Sequence, residues 1–183
     1  EWYKFLNLVL DVAEHYCHTK EIYTIGGMIS LSAHTTPREL LVIANSPEMK
    51  KALSQYVLTR DMNYETPHGQ RPTLSSFLLW VAKQRKIAGA NLWVPIPFYL
   101  VAMEDPTAWK KTLDFLDKRF GLGLDFRDLD EEMAKQNEKI ARLRNLFPEL
   151  DDYICRLESN LSLTEQENDK LVREMEEFLR KRE

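Results

Sequence analysis

Two polar loops hold the side chains best suited to bind or transform a ligand. One carries His34, Thr35 and Arg38; the other carries Glu65, His68 and Arg71, with Gln70 between the last two. Imidazole can take or give a proton near neutral pH, and guanidinium grips carboxylate or phosphate in two-point fashion. The second loop stands just before a helical pattern, and a helix N-terminus attracts anions. Binding of an anionic group is therefore the chemistry the two loops would share. Each also has a plainer reading. One His beside Thr35 and Thr36 makes a hydrogen-bonded turn, and Glu65 can pair with Arg71 where the loop crosses a sheet edge. Adjacency in sequence supplies neither geometry nor a shifted pKa.

Other constellations carry less. Gly26-Gly27 follows a strand pattern but lacks the third glycine of a dinucleotide loop and any Gly-Lys-Ser/Thr, so a tight turn explains it. Ser75 and Ser76 fall inside a helix, without a nucleophile elbow or a partnering base. His15 and His18, with Cys17 between them, could place two zinc ligands on one face; a polar helix end accounts for them with less. The Trp and Phe stripes read as core. No catalytic pair, metal set or cofactor motif is assembled, so no catalytic residue, metal or cofactor is expected.

The elements that must position these residues follow from periodicity. Trp2, Phe5, Leu6, Val9, Leu10, Ala13 and Tyr16 give an amphipathic helix over residues 1–16. Glu21–Ile25 reads as a strand stopping at Gly26-Gly27, and Leu40–Ala44 as a second. Ser46-Pro47-Glu48 starts a helix, with a short strand over Leu58–Tyr64 after it. Thr73 caps a helix whose stripe of Leu74, Phe77, Leu78, Val81 and Ala82 is widened by Leu79 and Trp80, which predicts cover on more than one side. Gly89 reads as its stop. The run from Leu92 to Leu100 reads as a buried strand, with Pro95 and Pro97 near its exit. Asp105-Pro106 starts a helix with Trp109, Leu113, Leu116 and Phe120 on one face, ending at Gly121. Alternation of this kind predicts right-handed βαβ units and a largely parallel sheet.

From about Arg127 the pattern becomes helical. Leu129, Met133, Gln136, Ile140, Leu143 and Phe147 keep a heptad seam with one polar lapse. Pro148 opens a second helix carrying Leu150, Ile154, Leu157 and Leu161, and Thr164-x-x-Glu167 is a capping box for a third. The face of that third helix, Leu171, Met175, Phe178 and Leu179, is expected to meet a partner or a second subunit.

Composition narrows the class. With 183 residues, 44% of them hydrophobic, the chain can bury a real core. A net charge of −4 and a pI near 5.7 give no basic field for nucleic acid or an anionic membrane, so neither partner is expected. No apolar run approaches the ~20 residues of a membrane span. Cys17 and Cys155 lie far apart and read as buried thiols in a reducing compartment, hence a cytoplasmic protein.

Several stretches together resemble one family. They are Glu21–Gly27, His34-Thr35-Thr36-Pro37-Arg38, Tyr64-Glu65-Thr66-Pro67-His68-Gly69, and Ala90–Tyr99. Leu129, Asp151-Asp152-Tyr153 and Glu177–Arg182 extend the match along the tail. In this order and spacing they are similar to the bacterial type of the proteasome assembly chaperone two family, in its middle and C-terminal parts. The resemblance implies a three-layer αβα fold of the phosphorylase or hydrolase kind with a C-terminal helical appendage. It implies too that the first part of the family's domain precedes Glu1, in keeping with the opening inside a helix. Eukaryotic and archaeal relatives act as scaffolds for proteasome subunits. Some archaeal ones end in a hydrophobic-Tyr-any docking motif, which Arg180-Lys181-Arg182-Glu183 does not match. Likeness to ATP-grasp ligases, sometimes claimed for the family, finds no nucleotide-binding residues here.

The expectation is thus an α/β domain over residues 1–126, missing its N-terminal part, and a helical appendage over 127–183. The function expected is non-enzymatic: a homo-oligomeric interaction or assembly protein with a protein partner, proteasome-related by the resemblance. The alternative is a small-molecule or nucleotide-binding enzyme using loops at the strand ends, where open α/β sheets bind ligands.

Overall fold

Helices begin where the sequence supplies a side chain for the first free N–H groups. Ser46 accepts from the Met49 amide to start α2 (Pro47–Leu53), and Thr73 accepts from the Ser76 amide to start α3 (Leu74–Gln84). Asp105 does the same for α4 (Pro106–Phe120), which closes at Gly121 in the left-handed conformation (φ 63°). The structure is a computed structural model that describes residues 1–56, 69 and 71–180. The expected strand at Leu58–Tyr64 lies outside the described residues.

The chain forms two compact units: Glu1–Gly26 with Glu39–Trp93, and Gly27–Arg38 with Val94–Glu183. Composition places its break at 126/127, whereas α4 falls in the same unit as the helices that follow it. The division cuts two long strands, β1 (Glu21–Ser30) and β3 (Ala88–Pro97). With β2 (Leu41–Ala44) they form a sheet in the order β1-β3-β2.

β2 pairs antiparallel to β3, Leu41 opposite Trp93 and Ala44 opposite Ala90. Neighbours on β1 and β3 advance together, Ile22 with Gly89, Thr24 with Asn91 and Gly26 with Trp93, so that pair is parallel. The sheet is mixed, and the expectation of a largely parallel one fails at β2. β1 also runs straight through Gly26-Gly27 instead of stopping there. A Cβ on Gly26 would meet the Trp93 ring at 2.8 Å, and one on Gly27 would meet Ile96 at 2.5 Å. These glycines allow close packing and do not turn the chain. Gly89 lies inside β3, with its missing Cβ 2.8 Å from Leu79. α3 ends earlier, where Lys86 takes φ 60°.

In the first unit, α1 (Trp2–His15) packs on α3 through Leu6, Leu10, Val81, Ala82 and Ile87. Arg85 fastens them, donating to Asp11 (2.7 Å), Glu14 and the Asn7 carbonyl (3.0 Å). Only part of the expected stripe of α1 is inward, with Trp2, Phe5 and Tyr16 exposed; α3 meets α1 through Val81 and Ala82 and the sheet through Leu79, and leaves Trp80 half exposed. Cys17, just past α1, is exposed, as is Cys155, against the expectation of buried thiols.

The second unit is mostly helical: the 3₁₀ turn Phe98–Leu100, α4, α5 (Arg127–Leu146), α6 (Pro148–Glu158) and α7 (Glu165–Arg180). Its core gathers Tyr99, Leu100, Ile140, Leu143, Leu150, Ile154, Leu157, Leu171 and Met175. The seam of α5 faces inward, and its lapse at Gln136 is answered by a hydrogen bond to the Glu104 carbonyl (2.8 Å). α4 is turned by one residue from the expected face: Ala108, Thr112 and Phe115 are buried, while Trp109 and Phe120 are exposed. Among the described residues, no helix is long and apolar enough to cross a membrane.

Candidate functional site

The loop that leaves β1 is folded by its own small polar residues. Ser32 donates its amide to Ser30 Oγ (3.2 Å), and the Thr36 amide returns to the Ala33 carbonyl (3.1 Å). Ala33 is buried in the helical core, so the turn presents His34, Thr35 and Arg38 to the elements of that unit. Each finds a partner there.

The His34 amide donates to the Tyr99 hydroxyl oxygen at 2.6 Å, and His34 Nδ1 lies 2.9 Å from the same atom. Burial, reinforced by Arg144 and Arg38, pushes the imidazole down to about 4. The ring is therefore neutral at physiological pH, and Nδ1 accepts from the hydroxyl. Burial drives the Tyr99 phenol upward out of the physiological range. Both groups therefore rest in their neutral forms, away from the matched pKa that general acid–base catalysis favours.

Arg38 and Asp105 form an ion pair with side chains 5% and 2% exposed. Asp105 Oδ2 takes the guanidinium, and Oδ1 accepts the Ala108 amide at 3.0 Å. One carboxylate thus serves both as helix cap and as counter-ion. Arg38 Nε has no hydrogen-bond partner among the described residues. Thr35 donates to Glu158 Oε1 (2.9 Å), which also receives Arg144 Nη1 (2.9 Å). Arg144 continues to Asp151 (2.5 Å), linking α5 to α6. Burial would raise Glu158, but its bonds from Arg144 and Thr35 hold it below the usual carboxylate range. Desolvation likewise opposes the charge on Arg144, which Glu158 and Asp151 hold firmly in place.

Residues 1–144 match the PAC2 family. The chain belongs to that family. No curated protein matches it. Solved structures share the fold at low identity. A Mycobacterium tuberculosis protein of unknown function is 21% identical with a TM-score of 0.68, over 97% of this chain and 55% of that one. Pyrococcus furiosus PbaA, an archaeal homolog of proteasome-assembly chaperone, is 18% identical with a TM-score of 0.60, over 88% and 64%. A second M. tuberculosis protein, a proteasome-assembly chaperone homologue, is 17% identical with a TM-score of 0.66, over 84% and 61%. This PAC2 chain therefore spans less than two thirds of the length of each.

Of the six residues the sequence offers for a ligand, His34, Thr35 and Arg38 share one loop, and each bonds a different side chain of its unit: Tyr99, Glu158 and Asp105. Arg71 belongs to the other unit and is exposed just ahead of the α3 cap, and Glu65 and His68 lie outside the described residues. The sequence reading misses Tyr99, Arg144 and Glu158. It sees Asp105 only as a cap, because nothing local marks a pair 67 positions apart. Of the partner face assigned to α7, two of the four residues are enclosed by the chain itself. Leu171 and Met175 are fully buried in this PAC2 chain's own core, and Phe178 and Leu179 pack against it half-buried. A heptad seam specifies a neighbouring helix without saying whose, and here its own unit supplies it.

Proposed function

We propose that this PAC2 protein is a non-enzymatic interaction or assembly factor, chaperone-like in role, cytoplasmic, and working as a homo-oligomer with a protein partner that is proteasome-related. The observation that carries the reading is the fate of the best polar cluster. His34, Thr35 and Arg38 are each committed to a side chain of their own unit, and the imidazole–phenol pair among them rests in its neutral forms. What the described surface offers freely is apolar: Trp2, Tyr3, Phe5, Leu8 and Tyr16 of the first helical segment are 47–81% exposed. Exposed apolar patches mark protein contacts in soluble proteins. Structural neighbours described as proteasome-assembly chaperone homologues support the same role.

The test is paired. Light scattering on the whole protein is expected to give a multiple of the subunit mass at low micromolar concentration. A screen against nucleotides, esters and phosphoesters is expected to show no turnover. Turnover that His34→Ala abolishes would replace this reading with the enzyme alternative.

A further inference from the structure

In the first unit, one buried polar group is left unanswered, and it borders a cavity. The cavity is about 410 Å³ and is walled by the sheet on one side and α3 on the other. Ile43 and Asn91 sit opposite each other in register on β2 and β3, so their side chains share a face of the sheet. α3 contributes Ser76, Phe77, Trp80 and Lys83, whose spacing places them along one side of the helix.

Asn91 is 1% exposed. Its Oδ1 receives the Thr24 hydroxyl, while Nδ2 has no partner among the described residues. Asn45, also in the wall, is fully used: Nδ2 donates to the Ile87 carbonyl (2.9 Å), and Oδ1 accepts the Gly89 amide (2.9 Å). Asn91 is thus the asparagine with capacity to spare, and an orphaned buried amide is costly unless something meets it. Beside it, Phe77 and Trp80 stack at 5.6 Å between centroids and 7° between planes, with Trp80 49% exposed. Lys83, three residues beyond Trp80, is exposed and makes no ion pair with the described residues.

We propose that this cavity binds a mononucleotide, its base lying along the Trp80–Phe77 stack, an acceptor on its edge meeting Asn91 Nδ2, and its phosphate turned toward Lys83. The volume falls in the range of small-molecule sites, apolar walls with a few placed polar groups. Aromatic platforms hold bases through their π-faces. A peptide aromatic would use the stack but leave Asn91 unmet; inorganic phosphate would use Lys83 alone. The inference does not rest on the assembly reading, and binding without turnover is compatible with it.

Calorimetry on the whole protein with UMP and AMP tests it, with uridine and ribose 5-phosphate as partial ligands. A mononucleotide is expected to bind with a dissociation constant on the order of 0.1–1 mM. Uridine should bind several-fold more weakly and ribose 5-phosphate not measurably. Trp80→Ala should weaken the nucleotide about ten-fold or more, since a base stack is lost, and Lys83→Met should bring UMP to the level of uridine. Asn91→Leu, with helicity intact by circular dichroism, should weaken both nucleotide and nucleoside. No saturation by UMP or AMP, equal binding of ribose 5-phosphate, or nucleotide binding indifferent to Trp80→Ala would each overturn the proposal, leaving the light-scattering test untouched.

Discussion

In the second unit, Arg38 and Asp105 are almost wholly withdrawn from solvent and face each other, and the aspartate's second oxygen caps a helix. In the first, Asn91 is as deeply buried yet keeps an amide group without a partner among the described residues, and its neighbouring Trp80 is half in solvent. Both are buried polar groups, but their energetics differ. A charge-matched buried pair fixes one arrangement of the chain around it even though Arg38 Nε has no partner among the described residues, and losing one member strands the other charge. The Asn91 amide holds the Thr24 hydroxyl through Oδ1 alone, and its unpartnered Nδ2 adds cost. The same contrast separates the two aromatic sets, with Tyr99 enclosed by His34 and Phe98, and Trp80 stacked on Phe77 with its edge open.

The largest effect expected from that contrast is at the ion pair. Arg38→Ala leaves the Asp105 charge buried and uncompensated, a change that typically costs about 3–5 kcal/mol. Asn91→Leu removes the unpartnered Nδ2 but also the Oδ1 that accepts the Thr24 hydroxyl, so it should cost about 1–2 kcal/mol, less than the ion-pair loss. Urea unfolding of both variants measures the difference. Equal losses would erase the distinction between the two units.

Next come the α7 residues. Met175→Ala and Leu171→Ala empty fully buried positions and should each cost about 2–5 kcal/mol. The mass of the folded protein in light scattering should stay the same. A change of mass without a loss of stability would return this helix to the partner-facing role its sequence implies.

Acid should act on the second unit through His34. Its folded pKa of about 4 lies below the unfolded value of 6.5, so the unfolded chain binds the extra proton between these limits. Stability is therefore complete above pH 6.5 and falls as pH drops toward 4, by about 2–3 kcal/mol at most. Glu167, held down to about 2 first by Arg156 and then by the Thr164 amide, adds its loss only below the normal carboxylate range. His34→Gln should flatten the pH 6.5–4 slope and leave the lower one. A slope unchanged by that substitution would mean that the histidine is not held neutral.

What the amino-acid sequence discloses of this fold is what is local. Ser46-Pro47, Thr73, Asp105-Pro106 and Thr164-x-x-Glu167 each contain both halves of their own cap, so four helix starts are legible. The inward positions of α5 are legible for the same reason, through Leu143. Gly26-Gly27 misleads because a glycine pair signals a turn equally well as a close approach, and the Trp93 and Ile96 side chains that decide the matter come from a distant strand. The direction of β2, the Arg38–Asp105 pair and the α7 neighbour are likewise set by residues far along the chain. The candidate site is half legible: its loop stands out by residue type, but the partners that neutralise its chemistry do not.

The smallest expected effects come from two threonine caps, one in each unit, and they test whether the contrast extends to helix ends. Thr73 accepts the Ser76 amide at 3.2 Å, and its hydroxyl also donates to Ser76 Oγ. The residue three ahead is a serine, too short to return a bond to the Thr73 amide as a glutamate would. Thr164 accepts the Glu167 amide at 3.3 Å, while Glu167 takes the Thr164 amide at 2.7 Å and an Arg156 guanidinium at 2.7 Å. Removing a threonine cap costs about 0.5–2 kcal/mol. Thr164→Ala deletes only one direction of a reciprocal box, since Glu167 keeps its hold on the backbone and on α6. Thr73→Ala deletes the whole cap. Amide hydrogen exchange should therefore show the first turn of α3 deprotected more by Thr73→Ala than the first turn of α7 is by Thr164→Ala, by a few tenths of a kcal/mol up to about 1. Glu167→Ala, which removes the carboxylate from both the Thr164 amide and Arg156, should exceed Thr164→Ala. If Thr164→Ala instead proves the larger of the two threonine changes, the reciprocal bond is not what holds α7, and the second unit's helix ends are no better secured than those of the first.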